Sequence, residues 1–189
     1  MARLYLIQRG RTDWDDQGRL ENLAGVPLSP EGCRQVQRLA DELAGRGLNL
    51  VYCGPAQAEQ QSAEMLAQAM AMKVRCSEDL AGVDFGLWQG LTTQQVLRSH
   101  GRLFRQWQAQ PSQVCPPGGE TVAAVQRRLC EAIGGICRRH RSEAVMLVLA
   151  PTAMALLRMA MERVDLDRLW ERVLSDAAWS SYDTDGRFH

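Results

Sequence analysis

Charged and polar side chains crowd one short stretch of this chain: Arg9, Arg11 and Thr12 stand beside Asp13, Asp15 and Asp16. A guanidinium presents a planar fork of donors that suits a phosphate or a carboxylate, so Arg9 and Arg11, with Thr12, form a candidate anion-binding set. The competing reading is that the aspartates pair with those arginines themselves. Cys53 is a second candidate for chemistry, but a cysteine phosphatase would carry an arginine six residues later, where this chain has Glu59. An inert, packed thiol is therefore expected. Asp13 to Gly18 places carboxylates and a glycine as a calcium loop would, yet the glutamate required at position twelve is Ala24, so solvated charges are expected. His100, His140 and His189 share no metal-ligand spacing and are expected at the surface; neither a metal nor a cofactor is expected.

Such groups act only if a framework holds them, and the apolar pattern supplies one. Residues 4–7, 48–53, 73–76 and 144–149 read as strands, and Trp179 and Tyr182 alternate as in a final strand. Between them lie helical patterns. Ser29-Pro30-Glu31 is a helix start, with Val36, Leu39, Ala40 and Leu43 on one face. Residues 56–72, 120–139 and 151–164 read as further helices. Strands alternating with helices predict an α/β fold: a three-layer sandwich with a mostly parallel sheet and helices on both faces. The segment at about 77–117, with Trp88, Phe104 and Trp107, reads as a small lid-like insertion in a single domain spanning 1–189.

Composition narrows the function classes. The 22 basic and 22 acidic residues cancel, which argues against nucleic acid and against an anionic membrane surface as partners. The apolar run at residues 4–7 is too short for a signal peptide, and no run approaches a membrane span, so the cytoplasm is the expected compartment. The six cysteines form no CxxC pair; reduced, mostly buried thiols are expected.

Four motifs in order resemble the histidine phosphatase superfamily, in its phosphoglycerate-mutase-like branch. They are Gln8-Arg9-Gly10-Arg11-Thr12-Asp13-Trp14-Asp15, Pro27-Leu28-Ser29-Pro30-Glu31-Gly32, Asp84-Phe85-Gly86-Leu87-Trp88-Gln89-Gly90 and Pro116-Pro117-Gly118-Gly119-Glu120-Thr121. The resemblance implies that family's fold and a pocket at the carboxyl ends of the strands. It also assigns roles by position, and six of those positions carry substitutions. The family's nucleophilic histidine falls at Arg9, and the arginine before it at Gln8. The second-loop arginine falls at Ala58, the acidic proton donor at Gly82, the second histidine at Ala150, and a phosphate-contacting asparagine at Asp15. A guanidinium stays protonated and has no free lone pair with which to attack phosphorus.

These substitutions lead to the expectation of a catalytically silent member, a pseudophosphatase without catalytic residues of the family type. It would act by binding a protein partner or a small anionic ligand, with a homodimer possible from the resemblance. The alternative is an enzyme with different chemistry in the remodelled pocket, built on Arg9, Arg11 and the nearby aspartates. Residual phosphomonoesterase activity is the third reading.

Overall fold

The computed structural model describes residues 2–21, 25–175 and 178–184. Ala24 and His189, weighed above for a calcium loop and for the surface, lie outside these residues. Five strands form one sheet: β1 (Ala2–Gln8), β2 (Leu50–Cys53), β3 (Lys73–Cys76), β4 (Ala144–Leu149) and β5 (Trp179–Thr184), in the order β3-β2-β4-β1-β5. All pairings are parallel except β5, which runs antiparallel along β1. The α/β architecture expected from the sequence is the one observed.

Side chains along β1 and β4 alternate between two apolar cores. Leu4 and Leu6, with Val145, Leu147 and Leu149, face one side, while Tyr5, Ile7, Met146 and Val148 face the other. A strand covered on both faces has no polar side, which is why β1 and β4 read as continuous apolar runs. Helices α2 (Pro30–Leu43) and α3 (Gln57–Met70) cover the second face through Val36, Leu39, Leu43, Ala63 and Leu66. Helices α5 (Val122–Arg139) and α6 (Pro151–Glu162) cover the first, joined by α4 (Thr93–Ala109) and α7 (Leu169–Ser175). A four-residue helix, α1 (Asp13–Asp16), follows β1.

Local chemistry fixes these boundaries. The Ser29 hydroxyl accepts from Gly32 N at 3.0 Å and starts α2; the Thr121 hydroxyl accepts from Ala124 N at 3.2 Å and starts α5. One edge of the sheet is β3, whose four residues are all exposed, among them Lys73, the chain's single lysine.

Residues 77–117 fold as three short 3-10 turns and α4. Trp88, Phe104 and Trp107 are buried in the core on the α5–α6 face, with ring centroids 5.3 to 5.7 Å apart. Arg128 of α5 anchors the start of this segment, donating from Nη1 to the carbonyls of Asp79 and Ala81, each at 3.0 Å. Its Nη2 reaches the Gly82 carbonyl at 3.3 Å and Glu120 Oε2 at 3.0 Å.

Candidate active site

The carboxyl end of β1 delivers Arg9 into the interior, because Arg9 N donates to the Leu149 carbonyl at 3.0 Å and continues the ladder with β4. The chain then turns through Gly10 against α2. A Cβ on Gly10 would run into the Gly32 carbonyl, so the first two motifs of the sequence are one close backbone contact. Gly10 N donates to Ser62 Oγ at 3.1 Å, and Ser62 Oγ donates to the Ala58 carbonyl at 2.7 Å, tying the same loop to α3.

Arg9 is the centre of the site. Its side chain is 4% exposed. Nη1 donates to Asp15 Oδ2 at 2.7 Å and to the Gly10 carbonyl at 2.9 Å; Nη2 donates to Asp15 Oδ1 at 3.1 Å and lies 3.4 Å from Glu21 Oε2. Thr12, fully buried, caps α1: Asp15 N donates to its hydroxyl at 3.2 Å, and its own N–H donates to Asp15 Oδ2 at 2.7 Å. The Thr12 hydroxyl donates to Glu21 Oε2 at 2.8 Å.

Glu59 completes the cluster from the first turn of α3. It accepts from Ala56 N at 3.1 Å through Oε2 and also bonds the Ala150 backbone. Gly54 is needed here, since a Cβ would occupy the space of the Glu59 carboxylate. Glu59 Oε1 and Glu21 Oε1 are buried without a hydrogen-bond partner among the described residues.

The electrostatics follow from burial and from one cation among three acids. Burial opposes charge on Arg9, but hydrogen bonding and attraction from Asp15, then Glu21 and Glu59, outweigh it and hold the guanidinium above its ordinary pKa. Burial likewise opposes charge on Asp15, and Arg9 overcomes it, so Asp15 lies below its ordinary value and stays ionised. Glu21 shifts upward because burial outweighs Arg9 and the Thr12 hydrogen bond. Glu59 is pushed by burial to about 7, against the backbone hydrogen bonds and Arg9. Cys53 is fully buried and its thiol is pushed up, chiefly by burial, which makes it a poor nucleophile.

The structure therefore gathers Arg9, Thr12, Asp15, Ala58 and Ala150 around one end of the sheet. It separates Arg11, which is half-exposed and pairs with Asp16 at 2.6 Å. Each arginine of the expected anion-binding set thus has its own carboxylate. Gln8 is half-buried at the end of β1, and its N–H donates to the Ala178 carbonyl. Gly82 is buried and held by Arg128. His140, expected at the surface, is buried: its Nε2 lies 3.0 Å from the Tyr52 hydroxyl. No group of three potential metal ligands occurs among the described residues. No described helix is long and apolar enough to cross a membrane.

Sequence reasoning missed Glu21 and Glu59 as site residues. Glu21 carries no local signal. Glu59 had one, an acid in the first turn of the helix that follows a buried strand, but such acids usually only cap the helix.

Over 180 residues the chain is 28% identical to a phosphoserine phosphatase of Hydrogenobacter thermophilus, covering 95% of this chain and 85% of the relative. It is 34% identical over 164 residues to a bifunctional protein of Mycobacterium tuberculosis, covering 85% of this chain but 44% of that protein, so it spans under half of that relative's length. The solved structure of Bacillus stearothermophilus YhfR superimposes with a TM-score of 0.91 at 26% identity, over 100% of this chain and 95% of the other. The structure of a mycobacterial glucosyl-3-phosphoglycerate phosphatase shares the fold at a TM-score of 0.84 and 22% identity, over 95% of this chain and 91% of the other. The expectation of a catalytically silent binding domain is corrected by the curated relatives named as phosphatases, the phosphoserine phosphatase above and an adenosylcobalamin/alpha-ribazole phosphatase of Escherichia coli, which point to phosphatase activity. The physical reason is that the six substitutions remove the family's own catalytic groups, while the same end of the sheet still gathers a cation and two carboxyl groups of raised pKa. The model of the histidine phosphatase superfamily (branch 1) matches residues 4–188, and the chain belongs to that family.

Proposed function

We propose that the chain is an enzyme of the phosphatase lineage that hydrolyses a phosphate monoester by acid–base chemistry instead of through a phosphohistidine. The observation that carries this reading is Glu59, a buried carboxyl with an unpartnered oxygen and a pKa of about 7, beside Arg9. Names of phosphatases among the relatives support the reaction class.

Phosphoryl transfer passes through a loose transition state that asks chiefly for positioning and charge stabilisation. In this scheme water attacks phosphorus while the ester P–O bond breaks. Protonated Glu59 gives its proton to the leaving oxygen, a role for which no acid stands at Gly82. Glu21 takes the proton from the attacking water, and the proton returns to Glu59 after the product leaves. Arg9 supplies the positive charge, exchanging part of its contact with Asp15 for the phosphoryl oxygens. The proton already held by Glu59 lessens the repulsion between the acids and an incoming dianion, while Glu21 stays ionised to act as the base.

A second reading rests on that same acid excess: three carboxyls around one guanidinium suit an uncharged ester better than a dianion. One experiment separates the two. The purified protein is assayed with p-nitrophenyl phosphate and with p-nitrophenyl acetate, beside Glu59→Gln. The first reading requires phosphate release that falls as pH rises above about 7 and that Glu59→Gln lowers by about 100-fold or more. Turnover of the acetate alone supports the second, and turnover of neither ester overturns both.

A further inference from the structure

Away from this site, a cleft of about 560 Å³ opens between α5 and α6. The short side chains of Ala123 and Ala160 leave the space, and Cys130, Met159 and Val164 give it an apolar lining. Gln126, also on its wall, is fixed by donating from Nε2 to the Leu156 carbonyl at 2.9 Å. Arg127 and Arg163 complete the lining; neither makes an ion pair among the described residues, and no carboxylate lines the cleft.

Arg163 stands at an unusual backbone position. It ends α6 with φ at 56°, the left-handed conformation that glycine or asparagine usually takes at a helix C-terminus. Ala71 and Ser142 share this backbone conformation, so it fixes where Arg163 leaves the helix and is not itself a mark of a ligand. The volume suits a small organic molecule. Two free guanidiniums with no opposing acid select for negative charge, and the apolar lining selects for a hydrocarbon or aromatic body.

We propose that the α5–α6 cleft is a second ligand site, specific for small organic anions. The anionic group is held between Arg127 and Arg163, and the apolar body lies on Cys130, Met159 and Val164. This inference is independent of the chemistry at Arg9 and Glu59.

The probe is 8-anilinonaphthalene-1-sulfonate, with its uncharged counterpart N-phenyl-1-naphthylamine as control. Fluorescence titration of the full chain should give one saturable sulfonate site, and the Arg127→Gln/Arg163→Gln double variant should bind about tenfold or more weakly. The uncharged counterpart should not distinguish the two proteins. Bound sulfonate should also slow alkylation of Cys130 by iodoacetamide, read by peptide mass spectrometry, while exposed Cys115 reacts as before. Arg127→Gln alone, on an exposed helical position, serves if the double variant does not fold, and should weaken binding several-fold. Sulfonate affinity unchanged by these substitutions, absence of saturable binding, or Cys130 left unprotected would each overturn the proposal.

Discussion

Two arginines organise two ends of this molecule, and they are satisfied by opposite means. Arg9 is buried and meets carboxylates: Asp15 closely and Glu21 at longer range, with Glu59 acting on it through space. Arg128 is partly exposed and meets mainly backbone carbonyls, those of Asp79, Ala81 and Gly82, plus one carboxylate. Carbonyl acceptors cannot change protonation state, so the Arg128 cluster is a clamp that fixes where a loop begins. Carboxyl acceptors can, and around Arg9 two of the three are shifted upward. The same side chain thus builds a fixed anchor in one place and a set of titrating groups in the other.

The sharpest way to break this contrast is Arg9→Met. It leaves Asp15 and Glu21 in a desolvated pocket with their counter-charge gone, and destabilisation of about 3–5 kcal/mol is expected in urea unfolding. Loss of under about 1 kcal/mol would mean that the acids simply protonate at neutral pH.

Glu59→Gln should act in the other direction. The unfolded carboxyl titrates near its model value of 4.5 and the folded one near 7, so between those values the folded state holds more protons. Stability therefore falls as pH rises through that window and stays low above it. The variant should be more stable than the natural chain at pH 8, by about 3 kcal/mol in urea unfolding, and show little difference near pH 4. Equal effects at both pH values would remove Glu59 from the list of shifted groups.

Arg128→Met tests the clamp. Three carbonyls lose a charged donor but remain near water, so a loss of about 1.5–3 kcal/mol is expected, with no change in its pH dependence. Arg11→Ala, at the surface pair with Asp16, should change stability by less than about 0.5 kcal/mol. A larger effect would make Arg11 part of the buried network after all.

Much of the fold was legible in the chain because it rests on short-range signals. The continuous apolar runs of β1 and β4, the Ser29-Pro30 start of α2 and the Trp179–Tyr182 alternation of β5 each depend on neighbours within a few residues. The motifs also have a physical basis, since Gly10 meets Gly32, and Leu87 N donates to the Pro117 carbonyl while Glu120 N donates to that of Asp84. The site was legible only in part. Arg9 with Asp15 follows from the capping geometry of a four-residue helix, which the Thr12–Asp15 spacing carries. Glu21 and Glu59 were not legible, because their importance comes from burial beside Arg9, and burial of an acid is set by tertiary packing. The same limit hid His140, whose partner Tyr52 is 88 residues away in the chain. Reading silence from the six substituted positions failed for a related reason: a chemical role can be filled from other positions, and which side chains reach the same place is set by tertiary packing.

The exposed strand β3 has a consequence for the behaviour of the chain in concentrated solution. An edge strand offers unpaired backbone donors and acceptors to any other extended segment. Here that edge is four residues long, and Lys73 and Arg75 put positive charge at alternate positions along it. Two copies approaching edge to edge would bring like charges together before any backbone bond could form. Neutralising both, as in a Lys73→Thr/Arg75→Thr variant, would remove the repulsion and leave Val74, 38% exposed, on an open template for aggregation.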